Sequence, residues 1–202
     1  MKKALAIVAL IAAMFVAGKV QAQTTIYATY APETFVAGSN STNYQGFAIG
    51  FTHNFDLYQG IGVAPGAQFR LNTRSATETV WGITGKINET QTLIDVPILI
   101  NYGIDINRDI KVTPFVGPMV SLALTGVTKG ADPIFGENSS DWYGDNSNRN
   151  RFNLYAVFGA DVKYSQFNLF GGYRLGLLDL NTSDNATLKT KGWFVGLGYT
   201  LQ

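Results

Sequence analysis

The stretch Tyr44-Gln-Gly-Phe-Ala-Ile-Gly-Phe-Thr-His-Asn-Phe55 decides the fold. Successive side chains of a strand point to opposite faces. Phe47, Ile49, Phe51 and Phe55 therefore share one face, and Gly46, Ala48, Gly50, Thr52 and Asn54 share the other. A soluble barrel turns its bulky apolar face inward. Here the second face is too small and too polar to build a dry core. The inversion suits a barrel whose outer wall touches lipid.

Reading outward from this stretch, the same alternation marks eight strands. They run roughly over Thr24–Tyr30, Tyr44–Phe55, Gly60–Asn72, Thr92–Ile104, Ile110–Thr125, Phe152–Tyr164, Gln166–Leu177 and Leu188–Leu201. Most have the roughly 9–11 residues that cross a bilayer at a tilt. The first is short unless it continues through Pro32 to Phe35. The links alternate in length. Asp56–Gln59, Asp105–Asp109 and Ser165 are short, whereas 31–43, 73–91, 126–151 and 178–187 are long. If the mature N-terminus starts in the periplasm, every short link is periplasmic and every long one is outside. Both termini then share the periplasm, as an even strand count requires. This is the asymmetry of bacterial outer-membrane barrels.

The N-terminus reads as an export signal. Lys2 and Lys3 precede the apolar run Ala4–Ala17, and Val20-Gln21-Ala22 places small residues for a cut after Ala22. The run falls short of the roughly 20 apolar residues of a spanning helix. The expected division is thus a signal peptide, 1–22, and a barrel domain, 23–202. Removing Lys2, Lys3 and Lys19 from 15 basic residues leaves 12 against 14 acidic ones, a balance that gives nucleic acid no footing. The absence of cysteine excludes a disulfide framework and a thiolate site. No later stretch reaches 18 consecutive apolar residues, which excludes a helical membrane protein.

Three segments carry a family resemblance: Leu93-Ile-Asp-Val-Pro-Ile-Leu-Ile-Asn-Tyr102, Thr113-Pro-Phe-Val-Gly-Pro118 and Gly192-Trp-Phe-Val-Gly-Leu-Gly-Tyr-Thr-Leu-Gln202. Together they resemble the small outer-membrane β-barrel ("porin family") proteins of the Bacteroidota. In architecture the chain is similar to eight-stranded barrels of the OmpA and OmpX type. The resemblance implies fold and location, not a pore. One departure is the C-terminus, Leu201-Gln202, where such barrels commonly end on an aromatic residue read by the outer-membrane insertion machinery. Aromatic residues also fall where interface girdles sit: Phe55, Tyr102, Tyr164, Phe167 and Tyr199 near the periplasmic strand ends, and Tyr44, Phe152 and Trp193 near the outer ends.

Alternation turns several charges inward. Arg70, Asp95 and Arg174 lie near the outer ends of their strands, and Lys111, Asp161 and Lys163 near the periplasmic ends. Strand adjacency lets Arg70 reach Asp95, and Lys111 reach Asp161. An eight-stranded barrel is about wide enough for side chains to fill it, so the expectation is two ionic layers that plug the lumen. The alternative is a selectivity ring in a narrow channel. His53, the sole histidine, faces lipid near the periplasmic end, away from where a lipid-modifying enzyme would meet outer-leaflet lipopolysaccharide. No nucleophile–base pair is evident around it. The link 126–151 is acidic, but its spacing does not match an EF-hand loop and Arg149 and Arg151 interrupt it. Its Trp142-Tyr143 pair, read as exposed, is the candidate contact for a protein or glycan.

These readings predict an all-β, eight-stranded antiparallel transmembrane barrel in the bacterial outer membrane. It has no catalytic residues, cofactor or metal, and its surroundings are outer-membrane lipid. The leading expectation is a non-enzymatic structural, adhesive or assembly-associated barrel presenting external loops. A narrow porin-like channel, a lipid-modifying enzyme and a soluble ligand carrier are the alternatives.

Overall fold

A computed structural model describes residues 22–80, 83–132, 136–144, 147, 149–182 and 187–201. The expected export signal lies outside them, apart from Ala22. The strands are β1 (Ala22–Tyr30), β2 (Glu33–Ala37), β3 (Asn40–Tyr58), β4 (Ile61–Val80), β5 (Ile83–Tyr102), β6 (Ile104–Asp105), β7 (Ile110–Asp132), β8 (Gly136–Asp141), β9 (Phe152–Tyr164), β10 (Phe167–Gly176) and β11 (Leu188–Leu201). They pair in the order β1-β11-β10-β9-β7-β5-β4-β3, and β3 returns to β1, closing a barrel of eight antiparallel strands. β2 continues β1 against the same neighbours, β11 and β3. Ala31-Pro32 interrupts this strand because proline has no N–H to give the ladder. The Ala31 N–H still donates to the Gly46 carbonyl at 2.7 Å. β6 extends β5 along β7, and β8 folds back on β7 outside the eight.

Closure leaves no sheet edge along the wall, so the backbone needs no water there. The outer wall is apolar and the interior is charged. Ile49 and Leu197 are 65% and 67% exposed, whereas Arg70 and Asp95 are 0% exposed. Tyr102, Tyr164, Phe167 and Tyr199 are exposed at one end of the wall, and Phe152 and Trp193 toward the other. Tyr44 leaves the expected girdle. It is buried in the lumen, because it shares the parity of Gly46 and Ala48 rather than that of Phe47.

The two ends differ. At the turn end lie both ends of the described chain and the turns Gln59–Gly60, 106–109 and Ser165–Gln166. Gln59, Gly60 and Ser165 have positive φ, as two-residue hairpins demand. At the hairpin end three of the four links expected as long loops hold strand. Residues 31–43 hold β2 and a two-residue turn at Gly38, whose φ is +58°. Residues 73–91 continue β4 and β5 as one hairpin, and 126–151 hold the end of β7 and β8. Polar and threonine-rich strands such as Thr73-Arg-Ser-Ala-Thr77 pair well but have no apolar face for hydrophobic periodicity to detect.

The lumen is packed by phenylalanines laid across glycines of the neighbouring strand. Phe115 faces Gly159, Phe194 faces Gly172, and Phe170 faces Gly196. A Cβ on Gly196 would stand 2.4 Å from the Phe170 ring, and one on Gly172 would stand 2.3 Å from the Phe158 carbonyl oxygen. A bulge on β7 re-aims the lumen lining toward the hairpin end. The β5–β7 register shifts between Thr92 and Leu93, where Leu124 is the extra residue of β7. Inward parity then passes from Ser121 and Ala123 to Gly126 and Thr128, since a bulge turns the side chains beyond it.

Gly172→Ala and Gly196→Ala are each expected to cost about 1–3 kcal/mol, the usual range for overpacking. Gly130→Ala, with open space around its Cβ, should be neutral. Urea unfolding from lipid vesicles, followed by tryptophan fluorescence, measures all three.

Candidate functional site

Inward positions of six strands meet in one polar layer. The Arg70 guanidinium donates from Nε to Asp95 Oδ2 at 2.8 Å and from Nη2 to Asp95 Oδ1 at 3.2 Å, a two-point grip. Its Nη1 donates to Glu33 Oε2. The carboxylates have further donors. Ser121 Oγ gives its hydrogen to Asp95 Oδ1 at 2.6 Å, and Gln68 Nε2 reaches Asp95 Oδ2 at 2.7 Å. Tyr155 OH donates to Glu33 Oε1 at 2.6 Å, and Asn72 Nδ2 to Glu33 Oε2 at 2.7 Å. Arg174 Nη2 donates to the Ala31 carbonyl at 2.7 Å, and its Nε stands 4.0 Å from Glu33 Oε1. All four charged residues are buried. Two arginines face two carboxylates, so the layer is neutral. Neutrality with multiple charge-assisted hydrogen bonds is the condition under which buried ions offset their desolvation.

The sequence places Arg70, Asp95 and Arg174 here, and the structure brings all three together. Glu33 was missed, because it lies past Pro32 in a segment read as a link. Its signal was alternation with Ala31 and Phe35, which also point inward and are buried.

The second expected layer is not an ion-paired one. Lys111 stands opposite Lys163 across β7 and β9, and Asp161 stands opposite Thr113. Among the described residues no ion pair joins Lys111 to Asp161. Lys163 Nζ donates to Gln23 Oε1 at 2.8 Å, and Asn168 Nδ2 donates to Asp161 Oδ2 at 2.7 Å. The buried Asp161 Oδ1 has no hydrogen-bond partner. Strand adjacency was read correctly, but the register sets lysine against lysine.

Between the Arg70 layer and the turn end lies a cavity of about 170 Å³. Arg174 and Thr29 line its inner end, Phe115, Phe170 and Phe194 its middle, and Gln23, Lys111 and Lys163 its other end, next to the strand termini.

On the opposite side of the layer, the hairpin end is capped by side chains. Trp142 and Tyr143 correct the expectation of exposed contacts. Trp142 is 8% exposed and clusters with Phe35, Tyr44 and Leu180, with Tyr143 and Leu188 packed against them. Its Nε1 donates to Thr128 Oγ1 at 2.6 Å, and the Arg149 guanidinium lies 4.2 Å from its ring centroid. Tyr143 OH accepts from Gln91 Nε2 at 2.7 Å. Both rings rest on Gly126, where any Cβ would collide with them. The bulge at Leu124 is the cause, since it turns Gly126 and Thr128 inward. The Asp179 carboxylate accepts from the backbone N–H groups of Leu188 and Asn181 at 2.8 and 2.9 Å, and these bonds hold its pKa below the usual carboxylate value. Its hold on the segment carrying Leu180 is therefore complete above the ordinary carboxylate range and is lost as pH falls through the lowered value.

His53 lies on the outer wall, half-buried, with Nδ1 2.8 Å from Thr24 Oγ1 and its ring edge-on to Phe55 at 4.7 Å. Among the described residues no group of three or more His, Cys, Asp or Glu side chains is arranged to hold a metal.

Arg70→Met should cost about 3–5 kcal/mol of unfolding free energy, because it strands two buried carboxylates. Denaturant titration in vesicles measures the loss. Trp142→Ala should speed protease cleavage within 126–151 several-fold while leaving the heat-dependent gel mobility of the barrel unchanged.

Comparison with known proteins fits this geometry. The model of the outer membrane protein beta-barrel domain matches residues 15–181. A comparison with curated proteins finds no match. The structure is similar to that of Ail, the attachment invasion locus protein of Yersinia pestis, solved with the heparin analogue sucrose octasulfate. That match has a TM-score of 0.52 and 19% identity, over 89% of this chain and 99% of that one. Neisserial surface protein A matches with a TM-score of 0.46 and 12% identity, over 88% and 97% of the two chains. The outer membrane enzyme PagL matches with a TM-score of 0.41 and 11% identity, over 83% and 97%. At such identities likeness speaks to fold alone, and the last two scores carry no argument. The family match, the closed barrel and the apolar outer wall agree, and the chain belongs to the outer membrane protein beta-barrel domain family, resident in the bacterial outer membrane.

Proposed function

We propose that this chain is a sealed, non-enzymatic barrel that displays its hairpin end outside the cell in an adhesive, structural or assembly role. The observation that carries the reading is the Arg70 layer. Its four buried charges, with Trp142, Tyr44 and Phe35 packed beyond them, occupy the half of the lumen nearest the hairpins. The hairpin end faces outward and the turn end faces the periplasm, the usual sidedness of such barrels. The resemblance of Leu93–Tyr102 and Thr113–Pro118 to the Bacteroidota barrels belongs with this reading.

Display is built from sheet rather than from coil. β4, β5, β7 and β8 continue as a four-stranded ladder past the point where β3 leaves β4 at Gln45↔Thr73. Residues Asn138–Asp141 of β8 present exposed polar side chains along its rim. Such a ladder holds a protein or glycan contact surface at low entropic cost. A narrow channel is the second reading, and it needs a water path through the Arg70 layer. A lipid-modifying role would centre on His53, which here contacts Thr24 and Phe55 at the turn end.

The purified, folded barrel should give no discrete channels in planar bilayers. Discrete channels whose size changes in Arg70→Ala and Lys111→Ala would establish the channel instead. Replacing residues 75–88 with an Asn-Gly turn, which leaves Arg74 paired with Glu89, should preserve heat-dependent gel mobility and abolish adherence of barrel-expressing cells to protein- or glycan-coated surfaces. Unchanged adherence would remove the display role of that hairpin.

A further inference from the structure

A sealed display barrel gives no work to the cavity at the turn end. Among the described residues, five buried side-chain polar atoms have no hydrogen-bond partner. Three of them, Thr29 Oγ1, Arg174 Nε and Asp161 Oδ1, belong to residues that line this one cavity. Thr29 and Arg174 are 7% and 2% exposed, so these two atoms depend on what enters the cavity. The three differ in kind. A guanidinium N–H only donates, an ionised carboxylate oxygen only accepts, and a hydroxyl does both. The register sets two of them on either side of an aromatic ring. Thr29 stands opposite Gly196, Gly196 opposite Phe170, and Phe170 opposite Asp161. The Phe170 ring therefore lies over Gly196 in a row that has the hydroxyl at one end and the carboxylate at the other. Phe115 and Phe194, stacked with centroids 6.3 Å apart, complete the aromatic wall. Charge around the cavity is balanced. Asp105 opposes Lys111 across β6 and β7, and Asp56 and Asp161 act on Lys163. Arg174 is matched by Glu33 within the neutral layer.

We infer that this cavity binds a neutral, polyhydroxylated ring the size of one monosaccharide, entering from the turn end. Only groups that both give and accept hydrogen bonds serve all three atoms. A carboxylate has nothing to give Asp161, and an ammonium has nothing to accept from Arg174, whereas a hydroxyl answers either. A charged ligand would also enter a balanced site with no counter-charge to offset its desolvation. The C–H face of the ring lies against Phe170, and its hydroxyls reach the polar atoms around it. An apolar wall with a few convergent polar groups is the usual form of a small-molecule site. Size sets the class. The cavity measures about 170 Å³, and one of roughly 150 Å³ holds a single benzene ring. One six-membered ring fits and a disaccharide does not. The proposed sidedness makes the periplasm the compartment that supplies the ligand, while the pocket itself stands on the geometry alone.

The test uses the full barrel in lipid nanodiscs, which leave both ends open to solvent. The probes are the methyl pyranosides of glucose, galactose and mannose, with cyclohexanol as a ring of similar size that carries one hydroxyl. Backbone amide shifts in NMR spectra report where each binds. At least one pyranoside should give saturable shifts in β1, β9 and β10 beside the cavity, with an affinity roughly ten-fold or more above that of cyclohexanol, the worth of one or two further hydrogen bonds. The uronate and the amino sugar of that same ring should bind more weakly than the neutral form. Thr29→Val, which keeps the shape and removes the hydroxyl, and Asp161→Leu, both checked for folding by gel mobility, should each weaken binding roughly five-fold or more. No saturable shift with any pyranoside would leave the three atoms to water and overturn the assignment. So would equal affinity for cyclohexanol, or unchanged affinity in both variants. Pyranoside binding by a barrel that also conducts in planar bilayers would keep the pocket and remove the seal. Silence in bilayers without binding would keep the seal and remove the pocket.

Discussion

A guanidinium never gives up its proton inside a protein, so Arg70 carries a full charge at a place from which water is excluded. The lumen on that level is built to meet this demand. Glu33 and Asp95 supply the charge, and Ser121, Gln68, Asn72 and Tyr155 satisfy the oxygens left over. These groups come from β2, β4, β5, β7 and β9, and Arg174 brings in β10. The network thus ties most of the wall together across its own diameter. It also divides the lumen. On one side, with no polar path to keep open, tryptophan and tyrosine close the hairpin end. On the other, the shift to phenylalanine and glycine leaves space that side chains do not fill.

Legibility in the sequence followed the physics of alternation. Phe47, Ile49 and Phe51 against Gly46, Ala48 and Gly50 were enough to read an inverted barrel. Strand adjacency was enough to put Arg70 beside Asp95. Alternation failed where the chain has no apolar face to alternate. The hairpin of β4 and β5 past Thr73 is polar on both sides, so it read as a loop. Glu33 is a different case: it alternates with the apolar Ala31 and Phe35, but Pro32 breaks the strand before it and hides that continuation.

Trp142 was misjudged for a different cause. Its burial depends on β8 folding back and on a single bulged residue, Leu124, which makes Gly126 and Thr128 face inward. Neither feature leaves a pattern of residue types. Lys111 and Lys163 show the remaining gap, since knowing that two strands are neighbours does not say which residues oppose each other. Their confrontation is a fact of register.

The phenylalanine–glycine pairs bear on how that register is chosen at all. Inward–outward alternation excludes a slip of one residue, because every side chain would change sides. It is blind to a slip of two. Moving β11 against β10 by two residues in one direction would set Phe170 opposite Phe194, ring against ring. Moving it the other way would leave Gly172 opposite Gly196, with nothing to fill the gap. Only the native pairing gives each ring a glycine. The repeated match works like a key cut, making the closing strands of the barrel distinguishable to one another while the wall is still being assembled.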